Sequence, residues 1–207
     1  MRKSFLLFAM LMATLTVRAQ YEEGDILIQP RVGITISNIT GGDKSKINVT
    51  YGVEFERLFT DQLSIAAGVL FTDQGCKYDI LYDTYPNQSK YTKMNLYYGA
   101  LPITVNYYVL PGLALKAGIQ PAFRVKANIE YGSEKLDFDK MVSTLYPGEE
   151  VKMNTFDLSI PVGFSYEYNR VTLDARYNIG VTKLISGSIE TVHNKVFAIT
   201  LGYKFGR

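Results

Sequence analysis

His193 is the only histidine in the chain, and the one side chain type whose ordinary titration falls near neutral pH. Ser186, Ser188 and Glu190 precede it in the same polar stretch. A nucleophile, a base and an acid are thus close in sequence, the inventory a rim-located hydrolase would use. No local spacing holds them within hydrogen-bond reach of one another, so the plainer reading of His193 is a solvated loop residue. Cys76 is the only cysteine and cannot form an internal disulfide; it reads as an incidental loop residue. One histidine and one cysteine do not make a transition-metal ligand set. The expectation is a chain without catalytic residues, bound metal or cofactor.

The charged side chains are the more informative set. Arg31, Glu54, Glu56, Lys116, Arg124, Lys126, Asp174, Arg176 and Lys204, with Glu130, Asp157 and Glu167, all fall on the polar phase of stretches in which polar and apolar residues alternate. Leu113 to Tyr131 is the clearest case. Leu113, Leu115, Ala117, Ile119, Phe123, Val125, Ala127 and Ile129 share one face; Lys116, Arg124, Lys126 and Glu130 share the other. A period of two is strand geometry. The pattern recurs near Val32, Val53, Val69, Val162, Leu173 and Leu201. In Leu96 to Tyr108 the phase slips at Leu101-Pro102, where proline cannot donate to a ladder and a bulge is expected. Eight strands result.

The elements that must position these charges follow from the connections. Short turns around Thr60-Asp61, Pro111-Gly112 and Asn169-Arg170 alternate with longer polar connections at about Asn38 to Asn48, Asp73 to Lys93, Gly132 to Lys152 and Lys183 to Asn194. Strict alternation of short and long connections is the pattern of an even-stranded outer-membrane barrel, with short periplasmic turns and long external loops. At the N-terminus, Arg2 and Lys3 precede an uncharged apolar run from Phe5 to Leu15 and the sequence Val17-Arg18-Ala19. Residues 1–19 therefore read as a signal peptide, the run being shorter than the roughly 20 residues of a spanning helix. Residues 20–207 read as the barrel domain.

A soluble barrel alternates too, with its apolar face inward. Three features favour the inverse arrangement. The polar phase mixes Gly, Ala, Ser and Thr with charges of both signs, as a narrow lumen requires. The apolar faces run long enough to cross a hydrocarbon slab about 25 Å thick. Aromatic residues collect near strand ends: Phe59, Tyr107, Tyr108, Tyr166, Tyr168, Tyr203 and Phe205 toward the turns, and Tyr51, Phe71, Tyr98, Tyr131 and Phe156 toward the loops. The expected fold is all-β, an eight-stranded antiparallel up-and-down transmembrane β-barrel in the cell outer membrane. Eight strands leave an interior that side chains fill, so the charges should form an ion-paired network, with Glu54 and Glu56 meeting Arg124 or Arg176. The expected role is non-enzymatic: structural, adhesive or accessory, with a plugged lumen. A small passive channel is the alternative, and an enzyme with a rim site near His193 the second. The partners expected are outer-membrane lipid and lipopolysaccharide, the barrel-assembly machinery during biogenesis, and a protein or glycan at the Tyr- and Lys-rich loop after Asp73. A net charge of +2 without a basic block points away from nucleic acid.

The chain also resembles a known family. Gly33-Ile34-Thr35-Ile36-Ser37-Asn38, Leu70-Phe71-Thr72-Asp73-Gln74-Gly75, Leu101-Pro102-Ile103 with Tyr107-Tyr108, and Arg176-Tyr177-Asn178-Ile179-Gly180-Val181-Thr182 resemble, in order and spacing, the outer-membrane β-barrel domain family that includes PorT-like proteins. The resemblance covers nearly all of the mature chain and implies the fold and location. Some PorT-like members are implicated in protein secretion; no residue here discriminates for that role. Gly202, Tyr203 and Phe205 resemble the terminal-strand signal read by the assembly machinery, with the difference that Gly206 and Arg207 follow the aromatic residue.

Overall fold

β-Branched and aromatic residues at alternate positions favour the extended, half-buried backbone, and in the computed structural model these stretches become long antiparallel strands. The structure describes residues 21–42, 44–79, 91–131, 134–138, 140, 152–186 and 192–206. The wall consists of β1 (Ile26–Ile39), β2 (Lys44–Leu58), β3 (Leu63–Asp79), β4 in two pieces (Tyr91–Ala100 and Ile103–Leu110), β5 (Leu113–Tyr131), β6 (Phe156–Tyr168), β7 (Val171–Gly180) and β8 (Asn194–Tyr203). Both pieces of β4 lie between β3 and β5. The break falls at Leu101-Pro102, as the sequence predicts, and the backbone carries the ladder across it: Leu101 N–H donates to the Pro121 carbonyl at 2.8 Å, and Gly68 N–H to the Pro102 carbonyl at 3.0 Å. Each strand pairs with the next, and β8 pairs back onto β1, with Leu201 opposite Val32 and Ile199 opposite Ile34. The result is a closed eight-stranded antiparallel barrel. Closure leaves no orphan edge, which hydrocarbon would not tolerate.

One end of the barrel has tight turns. Asn169 and Arg170 both take positive φ (49° and 69°), the two-residue geometry whose twist matches the flanking strands. Gly112, after Pro111, has φ 80°. The other end carries the loops, of which the first is shorter than expected: strand structure runs to Ile39 and resumes at Lys44. Lys77 and Lys93, expected in the second loop, belong to β3 and β4, and Tyr82, Asp83, Tyr85 and Lys90 of that loop lie outside the described residues. The strands outgrow the membrane. A slab of about 25 Å takes roughly ten tilted residues, whereas β3 has 17 and β5 has 19.

The alternation is inside-out. Val32, Ile34, Phe55, Val69, Leu115, Ile119, Phe164, Leu173 and Leu201 are exposed on the outer wall, while Gln29, Arg31, Glu54, Asn106, Lys116, Asp174 and Lys204 are buried inside. Toward the loop end, Tyr51, Phe71, Gly99, Phe123 and Phe156 stand opposite one another on successive strands and make one outward row. The Tyr51 and Phe71 rings are 5.7 Å apart, and those of Phe123 and Phe156 5.5 Å. Toward the turns, Phe59, Tyr107, Tyr168, Tyr203 and Phe205 face outward. Two aromatic belts thus bound the apolar wall. Two residues expected in them do otherwise: Tyr98 and Tyr108 point inward and are buried. The described residues do not extend to the side chain of Tyr131.

Candidate functional site

The polar phase delivers its charges to the lumen, and their geometry forms two tiers. In the middle tier Glu54 on β2 receives two guanidinium groups. Arg31 Nη1 lies 2.5 Å from its Oε2, and Arg176 Nη1 and Nη2 lie 2.6 and 2.8 Å from its two oxygens. Asp174, two residues along β7 and so on the same face, meets Arg31 Nη2, Arg176 Nε and Lys116 Nζ, each at 2.8 Å. Arg31 also donates to Thr200 Oγ1. In the tier nearer the turns, Lys204 Nζ bridges Glu56 at 2.8 Å and Glu167 at 2.9 Å, and donates to the Tyr108 hydroxyl at 2.9 Å. Glu56 further accepts from Tyr108 at 2.6 Å, from Asn106 at 3.0 Å and from Ser64.

Four cations thus face four carboxylates, and all eight side chains are nearly or wholly buried. That equality matters in a narrow lumen, because an unpaired buried charge costs several kcal/mol. Small residues make the room. A Cβ on Gly68 would lie 2.7 Å from Cγ of Glu54. Beside the middle tier is a cavity of about 20 Å³, bounded by Thr35, Thr72, Gln120 and Asn178 as well as the arginines, room for about one water molecule. Below the lower tier, Tyr21 of the N-terminal segment closes on Lys204, whose Nζ lies 5.7 Å from its ring centroid. Burial, then the Glu167 carboxylate, pushes the Tyr21 phenol well above its ordinary range.

Of the nine charges singled out from sequence as the lumen network, seven meet in these tiers: Arg31, Glu54, Glu56, Lys116, Asp174, Arg176 and Lys204. Glu167 joins them. Arg124 points inward but lies nearer the loops, donating to the Met153 carbonyl at 2.9 Å and the Asn154 carbonyl at 3.4 Å. It is not the partner of Glu54 or Glu56; Arg176 and Lys204 are. Lys126 is a correction, because it lies exposed on the outer wall. Opposite Tyr98 stands Arg124 and opposite Tyr97 stands Lys126, so Val125 is an extra residue in β5. This bulge inverts the phase of everything after it. Ala127 turns in, and Asn128 and Glu130 turn out with Lys126.

A third tier lies nearer the loops, to which the bulge contributes Ala127. Above the charged tiers an apolar cluster fills part of the lumen: Leu70, Cys76, Met94, Leu96, Tyr98 and Ala127 from the wall pack with Phe138, Met153 and Leu184 from the connecting segments. Beside it is buried Asp157, which accepts from Thr182 Oγ1 at 2.7 Å and from Asn194 Nδ2 at 3.2 Å. Cys76 is therefore a buried wall residue, not a loop residue. The available signal was in β4, where Met94, Leu96 and Tyr98 alternate with Lys93, Asn95 and Tyr97. Charge lies outside there because the strand has risen past the hydrocarbon.

His193 stands at the foot of β8. Its Nδ1–H donates to the Thr182 carbonyl at 2.9 Å, and its own carbonyl accepts from Thr40 N–H at 3.0 Å. Ser186 donates to Asn154 Oδ1; Ser188 and Glu190 lie outside the described residues. Among the described residues no three His, Cys, Asp or Glu side chains group as metal ligands.

Gly202 faces inward against the amide of Gln29. Tyr203 and Phe205 face outward, with rings 4.7 Å apart.

A closed inside-out barrel with two aromatic belts is an architecture of one kind of membrane, and the comparisons agree. The outer membrane protein beta-barrel domain matches residues 18–186. The chain belongs to that family. Family and architecture place it in the outer membrane, in contact with lipid and lipopolysaccharide. Solved structures with the same fold include Ail, the attachment invasion locus protein of Yersinia pestis, in complex with the heparin analogue sucrose octasulfate. It is 14% identical, with a TM-score of 0.52, covering 88% of this chain and 99% of that one. Neisserial surface protein A is 15% identical, also with a TM-score of 0.52, covering 88% of this chain and all of the other. No curated protein matches the sequence.

Proposed function

We propose that this family member is a non-enzymatic outer-membrane barrel with a structural, adhesive or accessory role, whose lumen is plugged and whose external loops carry its contacts with a protein or glycan. The observation that supports this reading is the neutral set of four buried cations and four buried carboxylates across the lumen, capped by the apolar tier. A hydrated ion crossing it would have to separate pairs held at 2.5–2.9 Å. In this reading residues 1–19 are a signal peptide removed on export. The loop end faces outward, since long loops are external in such barrels. Gly202, Tyr203 and Phe205 act as the assembly signal. The ring nitrogen of His193 that is engaged serves a backbone carbonyl rather than an acid or nucleophile, which favours a structural role for it.

The chain from Gln20 onward, folded into a planar bilayer, is expected to give no stable current steps. Steps that persist, and that change in size when Lys116 or Arg124 is neutralised, would replace the plugged barrel with the small passive channel.

A further inference from the structure

We propose that the outer wall above the loop-side aromatic row carries a strip of lysines that binds the phosphate groups of lipopolysaccharide. Register places the strip. Lys44 stands opposite Lys77, Lys77 opposite Lys93, Lys93 opposite Glu130, and Glu130 opposite Lys135 of the short strand Glu134–Asp137. Paired residues share a face of the sheet. The adjacent row, Cys76 opposite Met94 and Met94 opposite Ile129, faces the buried apolar tier, so the lysine row faces out. Four strand spacings make it about 20 Å wide.

Like charges directly opposite one another on neighbouring strands are destabilising, yet Lys44, Lys77 and Lys93 are consecutive across three strands. Glu130 is the one acid within the row, 3.9 Å from Lys93 Nζ. Closer to the membrane Lys126 is turned outward by the bulge, opposite Tyr97. The acid of that level, Asp73, is engaged by Lys46 at 3.3 Å. An arrangement that crowds cations on one face fits an anionic ligand with several charges.

Height selects the source. The lysine row lies six residues beyond Phe71 on β3, about 15 Å above the aromatic row at ordinary rise and tilt. Lys126 stands just above that row. This part of the wall, projecting from the hydrocarbon on its external side, is surrounded by outer-leaflet headgroups. In the outer membrane these are phosphorylated saccharolipids. The strip thus rests on the outward direction of the loop end and not on the plugged lumen.

The test is a titration of the folded chain from Gln20 onward, in uncharged detergent micelles with chelator present, against fluorescent bisphosphorylated lipid A, read as polarisation. The variant Lys77→Gln/Lys93→Gln/Lys126→Gln is expected to bind about a hundredfold more weakly than the parent. The control Arg57→Gln/Lys183→Gln/Lys195→Gln, which removes the same number of exposed cations elsewhere, is expected to bind like the parent. Lipid A stripped of phosphate is expected to bind parent and strip variant alike. Equal affinity of parent and strip variant would overturn the proposal, as would an equal loss in the control. Displacement by inorganic phosphate at matched concentration would assign the strip to free phosphate and overturn the lipid assignment. Micelles have no inside or outside, so these outcomes do not depend on the barrel's direction in the cell. Biotinylation of the strip on intact cells reports that direction separately.

Discussion

Glu54→Gln is expected to cost the folded barrel about 3–5 kcal/mol, the usual consequence of removing one member of a buried ion pair. Glu54 is 1% exposed and accepts from both Arg31 and Arg176. The amide is nearly the same shape as the carboxylate, so packing is preserved and the change isolates charge. What remains is two guanidinium groups and Lys116 sharing Asp174. The measurement is the urea midpoint of folding into lipid vesicles, followed by the heat-dependent shift in electrophoretic mobility that folded barrels show. The double change Glu54→Leu/Arg176→Met removes one charge of each sign and is expected to recover most of the loss, because replacing a buried pair with apolar groups is often close to neutral. A loss of under about 1 kcal/mol for Glu54→Gln, the range of exposed pairs, would show that water reaches the middle tier.

The second large effect belongs to the outer wall. Ile199 faces outward on β8, between outward-facing Phe197 and Tyr203 of the turn-side belt, opposite Ile34 and Ala175. Ile199→Arg is expected to destabilise folding into vesicles by roughly 2–4 kcal/mol, the cost of a cation near the bilayer midplane. Ile179→Arg is the graded comparison. Ile179 stands opposite Lys195 near the rim, where the arginine reaches headgroups, so the expected cost falls to roughly 0–1 kcal/mol. Equal costs at the two sites would contradict the depth assigned to them.

The parts of this molecule that were legible in the sequence are those governed by period two alone. The strand of Leu173, Asp174, Ala175 and Arg176 alternates without interruption, and its inward acid and base meet Glu54 and Lys116 as phase requires. The connections sorted themselves by length, which gave strand count and order, and the break at Leu101-Pro102 was marked by a residue that cannot donate a hydrogen bond. Register was not legible. Nothing in the composition of Glu54 says whether Arg124 or Arg176 stands across the lumen from it. That depends on shear accumulated around the whole barrel. The bulge at Val125 was hidden for a different reason. Val, Lys and Ala continue the alternation of residue types through the very position where the alternation of faces is reversed, so Lys126 reads as inward and is outward. The apolar tier around Leu96 and Cys76 was missed with it. A rule that puts charge in the lumen holds only while the outside is hydrocarbon, and β3 and β5 continue well past that depth.

The central claim, that lipid lies outside the alternation and protein within it, is tested most directly at Tyr107 and Tyr108. These neighbours on β4 stand at one depth and on opposite faces, 48% and 8% exposed. The chain has no tryptophan, so Tyr107→Trp and Tyr108→Trp each introduce a single reporter in place of a ring of related shape. In vesicles of lipid brominated near the headgroup, the fluorescence of Tyr107→Trp should be strongly quenched and that of Tyr108→Trp should not. Equal quenching of the two, or quenching of Tyr108→Trp alone, would contradict the inside-out barrel.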